Sequence, residues 1–159
     1  MEPIIIPFIP NNLGRVVFYA HVMTGDRKSV RRINFKLDSG SDFTTLSCDD
    51  LDLLGYTHEF LSSRPYHAIK ASTASDEIIL PLQYISDVSI KFGDRELQTC
   101  RVFFALGTQL RSLFGSDILK YFNREINYDT GELRLSVCGE KPKLSEGEVS
   151  IQIYSIESK

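Results

Sequence analysis

Apolar residues return at every second position along much of this chain. Ile33, Phe35 and Leu37 alternate with Asn34 and Lys36. Ile78, Leu80, Leu82 and Tyr84 alternate in the same way, as do Val88, Ile90 and Phe92. A period of two gathers side chains onto one face of an extended strand, whereas a helix needs a period near 3.6. Turn-forming pairs punctuate these runs. Gly25-Asp26 separates Val16–Val22 from the strand ending at Leu37, predicting a hairpin, and Gly93-Asp94 leads into Leu97–Leu106. Ser86-Asp87 predicts a bulge or bend, and Pro81 marks an edge, because proline cannot donate to a ladder. Two patches have helical character. Ser47–Leu54 has Ser47 as N-cap and a stop at Gly55, and Ser116–Asn123 puts Ile118, Leu119 and Phe122 on one face. The expectation is an all-β domain with one or two short helices and apolar strands at both ends.

With 159 residues, 42% of them hydrophobic, the chain can bury a core without disulfide or metal staples. Its net charge of −3 gives no electrostatic reason for a nucleic-acid or anionic-membrane partner. The basic cluster Arg27-Lys28 with Arg31-Arg32 flanks a turn and reads as a solvated loop. Cys48, Cys100 and Cys138 are odd in number and include no Cys-x-x-Cys pair, which argues against a disulfide framework and a zinc site. Reduced thiols in a cytoplasmic protein are the simplest account. Residues 1–7 are too short and too proline-broken for a signal peptide, and no apolar run spans a bilayer. His21, His58 and His67 lie far apart with no ligand spacing, so neither metal nor cofactor is expected.

The segment that carries chemistry is Phe35-Lys36-Leu37-Asp38-Ser39-Gly40-Ser41-Asp42-Phe43-Thr44-Thr45-Leu46. An apolar strand delivers an aspartate into a loop of small, hydrogen-bonding residues. Gly40 lets backbone approach closely and offers its N–H, and the Ser39 and Ser41 hydroxyls can donate to the carboxylate, lowering the cost of burying charge. Asp, Ser and Gly also make ordinary turns, but here the chain runs on into Thr44-Thr45-Leu46 instead of closing a hairpin. Asp129-Thr130-Gly131 has the same form. It follows Asn127-Tyr128 and runs straight into Glu132-Leu133-Arg134-Leu135, which predicts a tight hairpin turn.

The Asp38 segment resembles the active-site loop of the retropepsins, the retroviral-type aspartic proteases: two apolar residues, Asp, Thr or Ser, Gly, then Ala or Ser. Asp42 and Thr44 fall where many retropepsins carry an acidic residue and a threonine. Leu113-Phe114-Gly115-Ser116-Asp117-Ile118-Leu119 is similar to the family's second element, an apolar pair plus glycine before a short helix, which packs behind the catalytic loop. Tyr121–Leu135 resembles the strand, turn and strand that close such domains, and the likeness covers Leu13–Val137. It implies a closed β-barrel of the acid-protease fold, one lobe per chain, active as a homodimer. The implied activity is hydrolysis of peptide substrates, with one catalytic Asp38 per chain.

By the same resemblance Ser39, Gly40 and Ser41 support the loop, with Ser39 bonding across the dimer. Asp42, with Ile69, Lys70 and Ala71 of a flap, would hold substrate, and Leu113, Phe114 and Gly115 would pack behind Asp38. The flap region, Tyr66–Ser75, has no glycine, and Ser116 stands where viral enzymes tend to have an arginine. These departures leave open a peptide-binding or dimerisation module of the same fold without turnover. The organisation expected is an N-terminal apolar strand segment over 1–12, a retropepsin-like domain over 13–138, and a linker with a C-terminal strand over 139–159. The two end segments would either interleave at a dimer interface or cover the domain's own sheet.

Overall fold

The structure, a computed structural model, describes residues 2–10, 14–72, 77–108, 110–144 and 148–156, with the backbone alone for those between 68 and 81. Strands dominate. β2 (Val17–Met23) and β3 (Val30–Leu37) form the expected hairpin, pairing from Val17↔Lys36 to Met23↔Val30. Its alternation buries Phe18, Ala20 and Val22 with Ile33 and Phe35 on one face. β5 (Glu77–Phe92) is long and bent; its pairing with β6 (Arg95–Phe104) shifts register around Val88, where Asp87 takes a φ of 61°. β4 (Tyr66–Ser72) pairs with the first half of β5, and Pro81 lies in that half, before pairing with β6 begins at Gln83.

α1 (Cys48–Leu53) starts on Ser47, whose hydroxyl accepts from the Asp50 N–H. α2 (His58–Ser62) went unforeseen, although Thr57 caps it in the same way by accepting from the Phe60 N–H. α3 (Ser116–Leu119) is shorter than expected. Phe122 belongs instead to β8 (Phe122–Asn127), which pairs with β9 (Glu132–Val137). A helical periodicity there could not outweigh burial of Tyr121 and Phe122, aromatic residues that suit a pleated surface.

Two sheets result. One has the order β1-β9-β8, with β1 spanning Ile4–Pro7; the other runs β10-β6-β5-β2-β3-β7, with β7 at Leu113–Phe114 and β10 at Gln152–Ser155. Both terminal strands thus pair within their own chain, and Ile4 and Ile6 enter the core while Ile5 faces out. Phe114 is a hub of that core: its ring centroid lies 5.3 Å from Phe18, 5.7 Å from Phe35 and 5.7 Å from Phe92.

All three cysteines are free. The basic cluster is locally engaged: the Arg31 Nε donates to the Leu53 carbonyl, and Arg32 stacks 3.6 Å over the Tyr19 ring. Among the described residues no helix is long and apolar enough to cross a membrane.

Candidate active site

β3 carries Asp38 to its position. The strand ends between β2 and β7: the Leu37 N–H donates to the Val16 carbonyl, and the Asp38 N–H to the Phe114 carbonyl at 3.0 Å. β3 and β7 run parallel, with Lys36↔Leu113 and Leu37↔Phe114 in register. The aspartate backbone is therefore clamped on both sides before its side chain leaves the sheet.

The loop then turns on itself. The Ser41 N–H donates to the Asp38 carbonyl at 3.1 Å, and the Gly40 N–H donates to Asp38 Oδ1 at 3.1 Å. The hydroxyl donors anticipated for the carboxylate act elsewhere: Ser41 Oγ donates to the Phe43 carbonyl at 2.8 Å, and Ser39 is exposed with no hydrogen bond among the described residues. In the backbone path actually taken, the glycine N–H is the group that points at the carboxylate. Asp38 keeps 29% of its side-chain surface exposed, and Lys36 Nζ lies 3.7 Å from its Oδ2.

Behind this loop lies the segment from β7 to α3. Gly115 is buried so tightly that an added Cβ would lie 2.5 Å from the Phe43 carbonyl carbon and oxygen and 2.9 Å from the Ser41 carbonyl oxygen. Its backbone is extended, so the requirement for glycine is space and not a left-handed φ. The Ser116 N–H donates to the Ser41 carbonyl at 2.8 Å.

Thr44 and Asp117 complete the lock. Thr44 Oγ1 donates to Asp117 Oδ1 at 2.7 Å and accepts from the Gly115 N–H at 3.1 Å, while the Thr44 N–H donates to Asp117 Oδ2 at 3.0 Å. Burial pushes the Asp117 carboxyl above its ordinary range, against the pull of the Thr44 and Ile118 donors. Asp117 is the residue that sequence reasoning passed over. Its only signal was an acid placed between Gly115-Ser116 and the apolar pair Ile118-Leu119.

The structure thus gathers Asp38, Gly40, Ser41, Phe114 and Gly115 into one packed unit. Asp42 is exposed and has no ion pair among the described residues, and it lines a groove of about 410 Å³ with Phe43, His67, Arg101 and Phe103. The backbones of Ile69, Lys70 and Ala71 belong to β4, opposite Leu80, Ile79 and Ile78; their side chains lie outside the described residues, as does the segment 73–76. A second groove, of about 580 Å³, is lined by Val17, Lys36 and Arg111 among others.

Asp129-Thr130-Gly131 is a hairpin turn between β8 and β9. Gly131 has a φ of +67°, and Asn127 Oδ1 accepts from the Asp129 and Thr130 N–H groups. Among the described residues no group of three or more His, Cys, Asp or Glu side chains could hold a metal ion.

No protein-family model matches the chain, and no curated protein does. Among solved structures, it is similar to the crystal structure of a retropepsin-like aspartic protease from Rickettsia conorii. The TM-score is 0.57 at 22% identity, with 84% of this chain and 89% of that one covered. The likeness is one of fold: this chain has an all-β fold of the retropepsin-like acid-protease kind.

Proposed function

We propose that the chain is an aspartic endopeptidase active as a homodimer, hydrolysing peptide bonds with a water held between two Asp38 carboxyls. One observation carries the reading: Asp38 stands half-exposed on a loop whose backbone is locked by Phe114, Gly115 and the Thr44–Asp117 pair. A carboxyl that only closes a turn needs no such scaffold. The lobe supplies one loop of this kind, because Asp129-Thr130-Gly131 forms a hairpin instead, so the second acid comes from another copy.

Two carboxyls brought within hydrogen-bond reach do not both ionise cheaply, and the pair shares a proton. The ionised member accepts a proton from the attacking water, and the protonated member polarises the scissile carbonyl. The hydroxyl of Ser39, which makes no hydrogen bond among the described residues, would bond across the two-fold axis, and exposed Asp42 would accept substrate N–H groups.

The test is hydrolysis of a diverse peptide library by the purified protein. Asp38→Asn keeps the loop's size and shape but cannot serve as base, and it is expected to lower kcat/KM by about a thousandfold or more. Cleavage that survives this substitution contradicts the reading. A wild-type protein that binds peptides without cleaving them identifies the chain as a binding module of the same fold.

A further inference from the structure

The two grooves differ in chemistry. The one beside Asp42 is walled by aromatic rings, Phe43 and Phe103, whose centroids are 4.7 Å apart. The larger one opens beside Lys36, and Lys36 Nζ is 3.7 Å from the Asp38 carboxylate. One lining residue, Lys36, thus places its ammonium beside the carboxyl proposed to act on the scissile bond.

Two cations line the groove, Lys36 from β3 and Arg111 from the segment before β7. The Arg111 backbone is anchored, its carbonyl accepting from Thr45 Oγ1 at 2.7 Å, while its guanidinium makes no hydrogen bond or ion pair among the described residues. Among the described residues Asp49 is the one carboxylate in the lining. The neighbouring Asp50 is engaged by the Ser112 hydroxyl. Val17 and Leu110 supply apolar surface for the stem of an entering side chain. Lys36, which also faces Asp38, and Arg111 thus offer donors suited to a carboxylate: three N–H on an ammonium and a planar fork on a guanidinium.

We propose that this groove is a side-chain subsite selecting an acidic residue, glutamate or aspartate, next to the scissile bond, with Lys36 and Arg111 as the recognising groups. The proposal rests on the endopeptidase reading and names its substrate class. Because an isologous dimer brings one such groove from each chain, the preference applies to both residues flanking the bond. A lysine or arginine placed there meets like charge, which costs more than a neutral side chain does.

The experiment uses one cleavable peptide sequence with Glu, Gln, Leu or Lys at the flanking positions. The same set is prepared with a reduced, uncleavable bond for calorimetric binding. For the wild-type protein kcat/KM with Glu is expected to exceed that with Lys by about tenfold or more. Arg111→Glu and Lys36→Met each reduce that ratio, and Arg111→Glu, which reverses a charge, does so by about tenfold. Cleavage with equal or greater rates for Leu or Lys overturns the subsite and leaves the endopeptidase reading intact. Absence of cleavage, with Glu peptides still bound more tightly than Lys peptides in a manner lost in Arg111→Glu, removes the endopeptidase reading and supports the subsite. Absence of both cleavage and charge-dependent binding overturns both.

Discussion

Asp117 is the most constrained ionisable side chain in the lock behind Asp38. Its carboxylate accepts from the Thr44 hydroxyl, the Thr44 N–H and the Ile118 N–H, and it is largely removed from water. Desolvation outweighs these three donors, so the folded-state carboxyl titrates above its ordinary value of 3.8. The sign follows. A carboxyl whose proton is held more tightly in the folded state contributes stability that is complete below the unfolded-state value and is lost as pH rises through the folded-state value. Unfolding free energy measured by denaturant titration is therefore expected to fall between about pH 4 and about pH 7 in the wild type more than in Asp117→Asn, which has no proton to lose there. A wild-type curve that rises relative to the variant over that interval means that the donors prevail over burial.

Elements act on the site through close approach. The loop after β3 and the loop before α3 touch backbone to backbone at Gly115, where a methyl group would fall 2.5 Å from the Phe43 carbonyl. Neither partner is a flexible side chain that can swing away. Gly115→Ala is therefore expected to destabilise the chain by about 2–3 kcal/mol, as overpacking does, and to pull the Asp38 loop off its support. Gly139→Ala, where an added Cβ meets nothing within 4 Å, is expected to stay within about 0.5 kcal/mol of wild type. Equal effects in the two variants, read from denaturant midpoints, contradict the steric argument.

Local periodicity and local hydrogen bonds also decide which elements are legible in the sequence alone. Period-two runs and turn pairs were legible for β2, β3, β5 and β6, because each strand has one face against the core. The Ser47 cap was legible too, being a local hydrogen bond. α2 was not, since a five-residue helix has too few positions to display a period. The end of α3 was misplaced because Phe122 fits either a helical face or a strand, and pairing with Val137, fifteen positions away, decides it. Within the site, Asp38 and Gly115 stood out by their neighbours. Asp117 did not, since its partner Thr44 is remote in sequence and the contact exists only in three dimensions.

At the scale of the whole molecule, the lobe has its own core and keeps both terminal strands for itself. The outer edges of β1 and β10 are unpaired among the described residues, so a second copy can add there without unravelling the first. Dimerisation would then complete a site instead of completing a fold, and catalysis would depend on concentration where stability does not. The direct measurement is the separation of the two Asp38 carboxyls in a structure of the assembled protein. The proposed dyad requires oxygens of the two side chains within hydrogen-bond distance, about 3 Å apart across a two-fold axis. Asp38 side chains that point into separate regions of solvent in every assembly the protein forms would contradict it.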